Sequence, residues 1–163
     1  MNSANGSAAS GWSLATGQSL VSNGSFAGTA TIGAGSTIAP GNSIGTLTFS
    51  NDLILAGTAD MEAEDGTADL ISVAGALTYG GTLDITNIGG TLQGYSYAPT
   101  VFNLFDFTSQ SGTFDSINLP TLDAGYSWTS FDYGNGSISI IPETSSTLLA
   151  ALGSLALLRR RRH

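Results

Sequence analysis

Ile44-Gly45-Thr46-Leu47-Thr48-Phe49-Ser50 alternates apolar and polar side chains, so that Leu47 and Phe49 share one face of an extended segment. Thr82-Leu83-Asp84-Ile85-Thr86 does the same with Leu83 and Ile85. Around these stretches a small unit returns, Gly followed by Ser or Thr and then an apolar residue: Gly24-Ser25-Phe26, Gly57-Thr58-Ala59, Gly90-Thr91-Leu92, Gly136-Ser137-Ile138 and others. The runs are about four to seven residues long, a usual strand length. Between them stand Gly-rich corners such as Ala39-Pro40-Gly41-Asn42, Glu64-Asp65-Gly66 and Tyr79-Gly80-Gly81. Short strands recurring in this way predict a coil in which each turn stacks in parallel on the next, burying inward faces and satisfying the backbone along the stack.

Composition agrees with an all-β chain. The 163 residues include 22 glycines, and charged residues are 10% while hydrophobic ones are 41%. That is too apolar for an acidic disordered segment and fits one domain rich in turns. Net charge is −8; all four basic residues are Arg159 to Arg162, and eleven of the twelve acids lie before Glu143. A body without Lys or Arg repels phosphates, which excludes nucleic acid as a partner. No cysteine is present, so disulfides play no part.

Ala39-Pro40-Gly41-Asn42-Ser43-Ile44-Gly45-Thr46-Leu47, with Thr67-Ala68-Asp69-Leu70-Ile71-Ser72-Val73-Ala74-Gly75 further on, resembles the repeats of autotransporter-type passenger proteins. The resemblance implies a right-handed parallel β-helix. Phe102 to Phe107, Ser111 to Pro120 and Gly125 to Trp128 are similar to the ending such repeats have in proteins that carry a PEP-CTERM signal. No autotransporter barrel follows, so self-translocation is not implied.

Little in the body can do chemistry. The one histidine, His163, ends the chain, which removes Ser-His-Asp and Cys-His nucleophiles, and no Lys follows Gly80-Gly81 or Gly89-Gly90 to complete a phosphate loop. Asp60, Glu62 and Glu64 alternate with Ala59, Met61 and Ala63, placing three carboxylates on one strand face about 6.6 Å apart per pair. That spacing reads first as a solvated face, second as a weak cation site, and third as a two-carboxylate glycoside hydrolase on a β-helix. Aromatic residues gather from Tyr95 onward: Tyr97, Phe102, Phe105, Phe107, Phe114, Tyr126, Trp128, Phe131 and Tyr133. They form either a cap over the end of the coil or a platform for stacking sugars; alternation at Phe105 and Phe107 favours the cap. Trp12 is uninformative in its Gly- and Ser-rich setting.

The tail is a different kind of sequence. Leu148 to Leu158 is apolar except for Gly153 and Ser154, with leucines and alanines on every side of a helix, and Arg159 to Arg162 follow directly. At about 1.5 Å per residue such a helix falls short of the roughly 20 residues that span a bilayer. The arginines would keep the tip on the cytoplasmic side while residues 1 to 141 are exported. Pro142-Glu143-Thr144, the apolar run and the Arg cluster resemble a PEP-CTERM sorting signal, with Thr144 where the family usually has Pro. Ile141-Pro142-Glu143-Thr144-Ser145 is also close to the Leu-Pro-x-Thr-Gly of sortase signals but differs at both ends. The PEP-CTERM resemblance implies recognition near Pro142-Glu143 by an exosortase-like membrane enzyme, association with exopolysaccharide or the outer surface, and transient retention in the inner membrane by the tail. Met1 to Gly11 has neither a basic nor an apolar region and is not a secretory signal, so the sequence is expected to be a C-terminal fragment or to start internally.

The expectation is therefore an all-β chain: residues 1–23 a low-complexity segment, 24–141 a right-handed parallel β-helix with an aromatic C-terminal cap, and 142–163 a sorting and membrane segment ending in a short apolar helix. Its function is that of an exported, non-enzymatic structural protein of the envelope or extracellular matrix, without cofactor or metal. A carbohydrate-binding adhesin that uses the aromatic cluster, and would lose glycan binding on Trp128→Ala, is the alternative, ahead of a two-carboxylate polysaccharide-degrading enzyme.

Overall fold

In the computed structural model of the protein, residues 11–92 and 98–143 are described, and among them every regular element is a strand. In chain order these are β1 (Trp12–Leu14), β2 (Ser19–Ser22), β3 (Ser25–Phe26), β4 (Ala30–Ile32), β5 (Thr37–Pro40), β6 (Thr46–Phe49), β7 (Leu53–Leu55), β8 (Thr58–Glu64), β9 (Thr67–Ala68), β10 (Leu70–Tyr79), β11 (Thr82–Gly89), β12 (Thr100–Asn103), β13 (Phe105–Gly112), β14 (Ser116–Asn118), β15 (Tyr126–Trp128) and β16 (Ser137–Pro142). The expected short apolar helix at the C-terminus lies outside the described residues. So do Tyr95 and Tyr97.

Two sheets are built almost wholly of parallel pairs. One has the order β1-β4-β7-β10-β6-β3, with β13 also on β10; the other runs β14-β11-β8-β5-β2, with β9 turned back on β8. The registers are regular: Ser19 pairs with Thr37, Thr37 with Thr58, Thr58 with Thr82 and Thr82 with Ser116. One position on, Leu20, Ile38, Ala59, Leu83 and Ile117 therefore form an apolar ladder, with Ile38, Ala59 and Leu83 buried in its middle. Because side chains on a strand alternate, one face of each sheet supplies the core and the other takes the hydroxyls. Leu47 and Phe49, and likewise Leu83 and Ile85, are buried together as their alternation predicted. β1 and β2 fall in the stretch set apart above as low-complexity, and they pair with β4 and β5.

Strand lengths depart from the expected four to seven residues. β10 has 10, and β11 and β13 have 8 each. β10 pairs through Leu70–Val73 with β6 and through Leu77–Thr78 with β7, so it joins in one strand what the preceding layer splits at Ser50-Asn51-Asp52. Gly75 sits beside that break, where a Cβ would lie 2.3 Å from Asp52 Oδ1. Ala39 and Pro40, expected in a corner, close β5 instead; the bend starts at Gly41, whose φ of 85° suits glycine. Between β8 and β9 the tight turn is Asp65-Gly66, both with positive φ, as a two-residue hairpin requires.

The third sheet is antiparallel, in the order β12-β16-β15. Next to it Tyr79 is ringed by Phe105, Phe107, Phe114, Phe131 and Tyr133, with ring centroids 5.0 to 6.1 Å from its own. Most of these contacts are edge-on, the arrangement aromatic quadrupoles prefer.

Candidate functional site

Asp60, Glu62 and Glu64 lie on β8, whose side chains alternate between half-buried and buried along its whole length. Ala59, Met61 and Ala63 fill the core side. Register sets Asp60 beside Asp84 of β11, and Asp84 beside Asn118 of β14, whose Nδ2 donates to Asp84 Oδ1. Burial, reinforced by the charge on Asp84, raises the Asp60 pKa. Glu62 Oε2 is buried with no hydrogen-bond partner. Among the described residues no group of three or more His, Cys, Asp or Glu side chains is placed to hold a metal ion. A shallow groove of about 350 Å³ is lined by Ile117, Leu119, Thr129, Ser130, Phe131, Tyr133 and Ile138, with no carboxylate among them.

The carboxylate that sequence reading passed over is Asp69. It is 1% exposed, the only buried acid among the described residues. Its Oδ1 accepts from the Gly45 amide at 2.7 Å and its Oδ2 from the Glu62 amide at 2.8 Å. The Asp69 amide in turn donates to Glu62 O, and the Leu70 amide to Gly45 O. Asp69 thus joins the Ile44-Gly45-Thr46 stretch to the Thr67-Ala68-Asp69 stretch, the two segments that carry the repeat resemblance. Burial pushes its pKa up to about 6; the two amide bonds oppose that, and the charges of Glu62 and Asp60 add to it.

Three other acids act alike from exposed positions. Asp52 Oδ1 accepts from the Ala76 amide at 2.8 Å, Asp65 Oδ1 from Thr91 at 2.9 Å and Asp115 Oδ2 from Gly81 at 3.1 Å. Each satisfies a backbone donor one layer away, where the strand ladder is interrupted. The available signal was an Asp at the edge of a Gly-rich corner, which composition alone reads as a turn.

Aromatic side chains are mostly turned inward. Phe102, Phe105, Phe114 and Phe131 are buried. Trp128 is half-buried, packs on Phe102 at a centroid distance of 5.8 Å, and commits its indole N–H to Pro120 O. Trp12 packs with Phe26 and Phe49 at 5.5 and 6.2 Å, a contact nothing in its local sequence suggested. Of the expected sorting residues, Pro142 ends β16 opposite Tyr126, and Glu143 is exposed with its amide donating to Gly125 O. Thr144 and Arg159, Arg160, Arg161 and Arg162 lie outside the described residues, within which no helix is long and apolar enough to cross a membrane.

Compared with family models, with curated proteins and with solved structures, the chain gives no significant match.

Proposed function

We propose that the chain is an exported structural protein of the cell envelope or extracellular matrix, whose body is a right-handed parallel β-helix and whose tail is a PEP-CTERM-like sorting signal. The observation that carries the reading is the layered register: Trp12 beside Ala30, Ala30 beside Leu53 and Leu53 beside Leu77 in one sheet, repeated by Ser19, Thr37, Thr58, Thr82 and Ser116 in another. The chain passes from the first sheet to the second in each layer, from β1 to β2, from β3 and β4 to β5, from β6 and β7 to β8, from β10 to β11 and from β13 to β14, as the winding of a coil requires, and parallel crossovers are nearly always right-handed. Buried aspartate and exposed acids spend their oxygens on backbone amides, which suits a scaffold. Export and sorting rest on Pro142-Glu143-Thr144 and Arg159 to Arg162, with Pro142 and Glu143 at the end of the last strand and Glu143 open to an enzyme. The partners this reading names are an exosortase-like membrane enzyme and exopolysaccharide.

The test is intact-mass and fractionation analysis of the native protein in its own cells, beside a version with Arg159 to Arg162 replaced by Ser. The expected result is a mature body outside the cytoplasm without its tail, and an unprocessed Ser version. A tail that persists, with no change of location on replacement, would overturn the sorting role.

A further inference from the structure

Two Asn-Gly pairs lie among the described residues, Asn23-Gly24 and Asn135-Gly136. Every other described asparagine precedes a residue with a side chain, Ser43, Asp52, Ile88, Leu104 or Leu119, which shields the following amide. Glycine has no Cβ and leaves that nitrogen open to the asparagine carboxamide. The fold treats the two pairs differently. Asn23 is half-buried, and its Oδ1 stands where a Cβ on Gly41 or Gly45 of the next layer would lie, so its carboxamide is wedged in place. Asn135 is exposed, in a loop whose ends Asp132 and Ser137 bond to each other through both backbone amides. Its Nδ2 donates outward to Asp132 Oδ2 at 2.7 Å, and the Gly136 amide donates to no group among the described residues.

We propose that Asn135 is a site of spontaneous deamidation, and that its product loosens the antiparallel sheet from β13. Hydroxide takes the proton of the Gly136 amide, and the nitrogen bonds to Asn135 Cγ. The Cγ–Nδ2 bond breaks, and ammonia leaves with a proton from water, giving a five-membered imide. Water then opens the ring. Breaking the new bond at Cγ leaves aspartate; breaking the original bond at the Asn135 carbonyl carbon leaves isoaspartate, whose main chain runs through Cβ and Cγ and is one carbon longer. That extra carbon falls directly before Gly136, whose carbonyl accepts from the Leu104 amide at 2.9 Å and the Phe105 amide at 3.0 Å. Gly136 is buried so closely there that a Cβ on it would collide with Phe105 O. A longer chain before Gly136 displaces the carbonyl from both amides, which have no slack to follow. Either product also replaces the donor facing Asp132 with a second negative charge.

The experiment is ageing of the full chain in mild detergent at mildly alkaline pH, as wild type and as N135S, beside a synthetic peptide of residues 131–138. Chymotryptic fragments are weighed, isoaspartate is counted by enzymatic methylation, and amide exchange is followed before and after. The fragment holding Asn135 is expected to gain the mass of one amide-to-acid change, with isoaspartate in it, while Asn23 stays intact. The Leu104 and Phe105 amides are expected to exchange several-fold faster in the aged wild type and at an unchanged rate in aged N135S. An Asn135 that stays intact while the peptide converts, an Asn23 that converts as fast, or conversion without faster exchange at Leu104 and Phe105 would each overturn the proposal. Should N135S fail to fold, aged wild type separated by charge into converted and unconverted chains decides. Faster exchange confined to the converted chains supports the proposal, and equal exchange in both overturns it.

Discussion

Asp69 Oδ1 accepts a hydrogen bond from the Gly45 amide at 2.7 Å, across 24 positions of chain, while its other oxygen takes the Glu62 amide at 2.8 Å. One buried side chain thereby fixes the start of β6, the middle of β8 and the start of β10 relative to one another. An aspartate does this because it offers two acceptors and no donor when ionised.

Replacing Asp69 by Asn leaves one acceptor and turns an NH₂ toward a backbone N–H. The variant is expected to lose about 1–3 kcal/mol of stability, the cost of a buried unsatisfied donor pair, read as the shift in urea midpoint at constant slope. No loss would mean that the two amides find other partners.

Stability is expected to rise as pH falls from 7.5 to 4.5. The Asp69 pKa stands at about 6 in the folded protein, above the ordinary carboxyl value of 3.8, and that of Asp60 is raised as well. A raised folded pKa means the folded state binds the proton more tightly, so the gain is complete below the unfolded value and lost as pH climbs through about 6. Asp132, held low chiefly by the Asn135 side chain, acts in the opposite direction, but only below the ordinary carboxyl range. Thermal melts across this window, repeated on D69N, check it: the variant's pH dependence is expected to be shallower.

Tyr79→Phe is expected to leave stability unchanged or to raise it by about 1 kcal/mol. The hydroxyl is buried without a partner, so removing it discards a desolvation cost and keeps the ring contacts. A loss above that amount in thermal unfolding would reveal a bond the hydroxyl makes.

Gly57→Ala tests the closeness of the layers. A Cβ at Gly57 would lie 2.3 Å from Ser36 O and 2.6 Å from Gly33 O, both backbone atoms, and the residue's own carbonyl takes the Thr82 amide. Overpacking of this kind costs about 1–3 kcal/mol. Chemical denaturation is the measurement, and a neutral result would show that the Gly33–Ser36 corner can yield.

Alternation in the sequence found the strands around Leu47, Phe49, Leu83 and Ile85, because strand faces have a period of two that short range reveals. It could not find the ten-residue β10, since nothing local tells whether Ala74-Gly75-Ala76 bends, as Ser50-Asn51-Asp52 does in the layer beside it, or runs on. The carboxylates were ranked by spacing, which drew attention to Asp60, Glu62 and Glu64; Asp69 was hidden, because its partners lie at Gly45 and Glu62 and only the register brings them near. Trp12 was silent for the same reason, its partners Phe26 and Phe49 being one and two layers away. The sorting reading of the tail rests on Thr144 and Arg159 to Arg162, which fall outside the described residues.

The unbroken run of β10 beside both β6 and β7, with β13 along its other edge, gives the stack an uneven resistance to opening. Strands of two to four residues at the β1–β3 end can detach singly, each surrendering few bonds. To pass β10, the same unzipping must release a ten-residue strand held on both sides at once. A breach begun at the thin end therefore stalls there, and the chain can lose its first layer and close again without surrendering the rest.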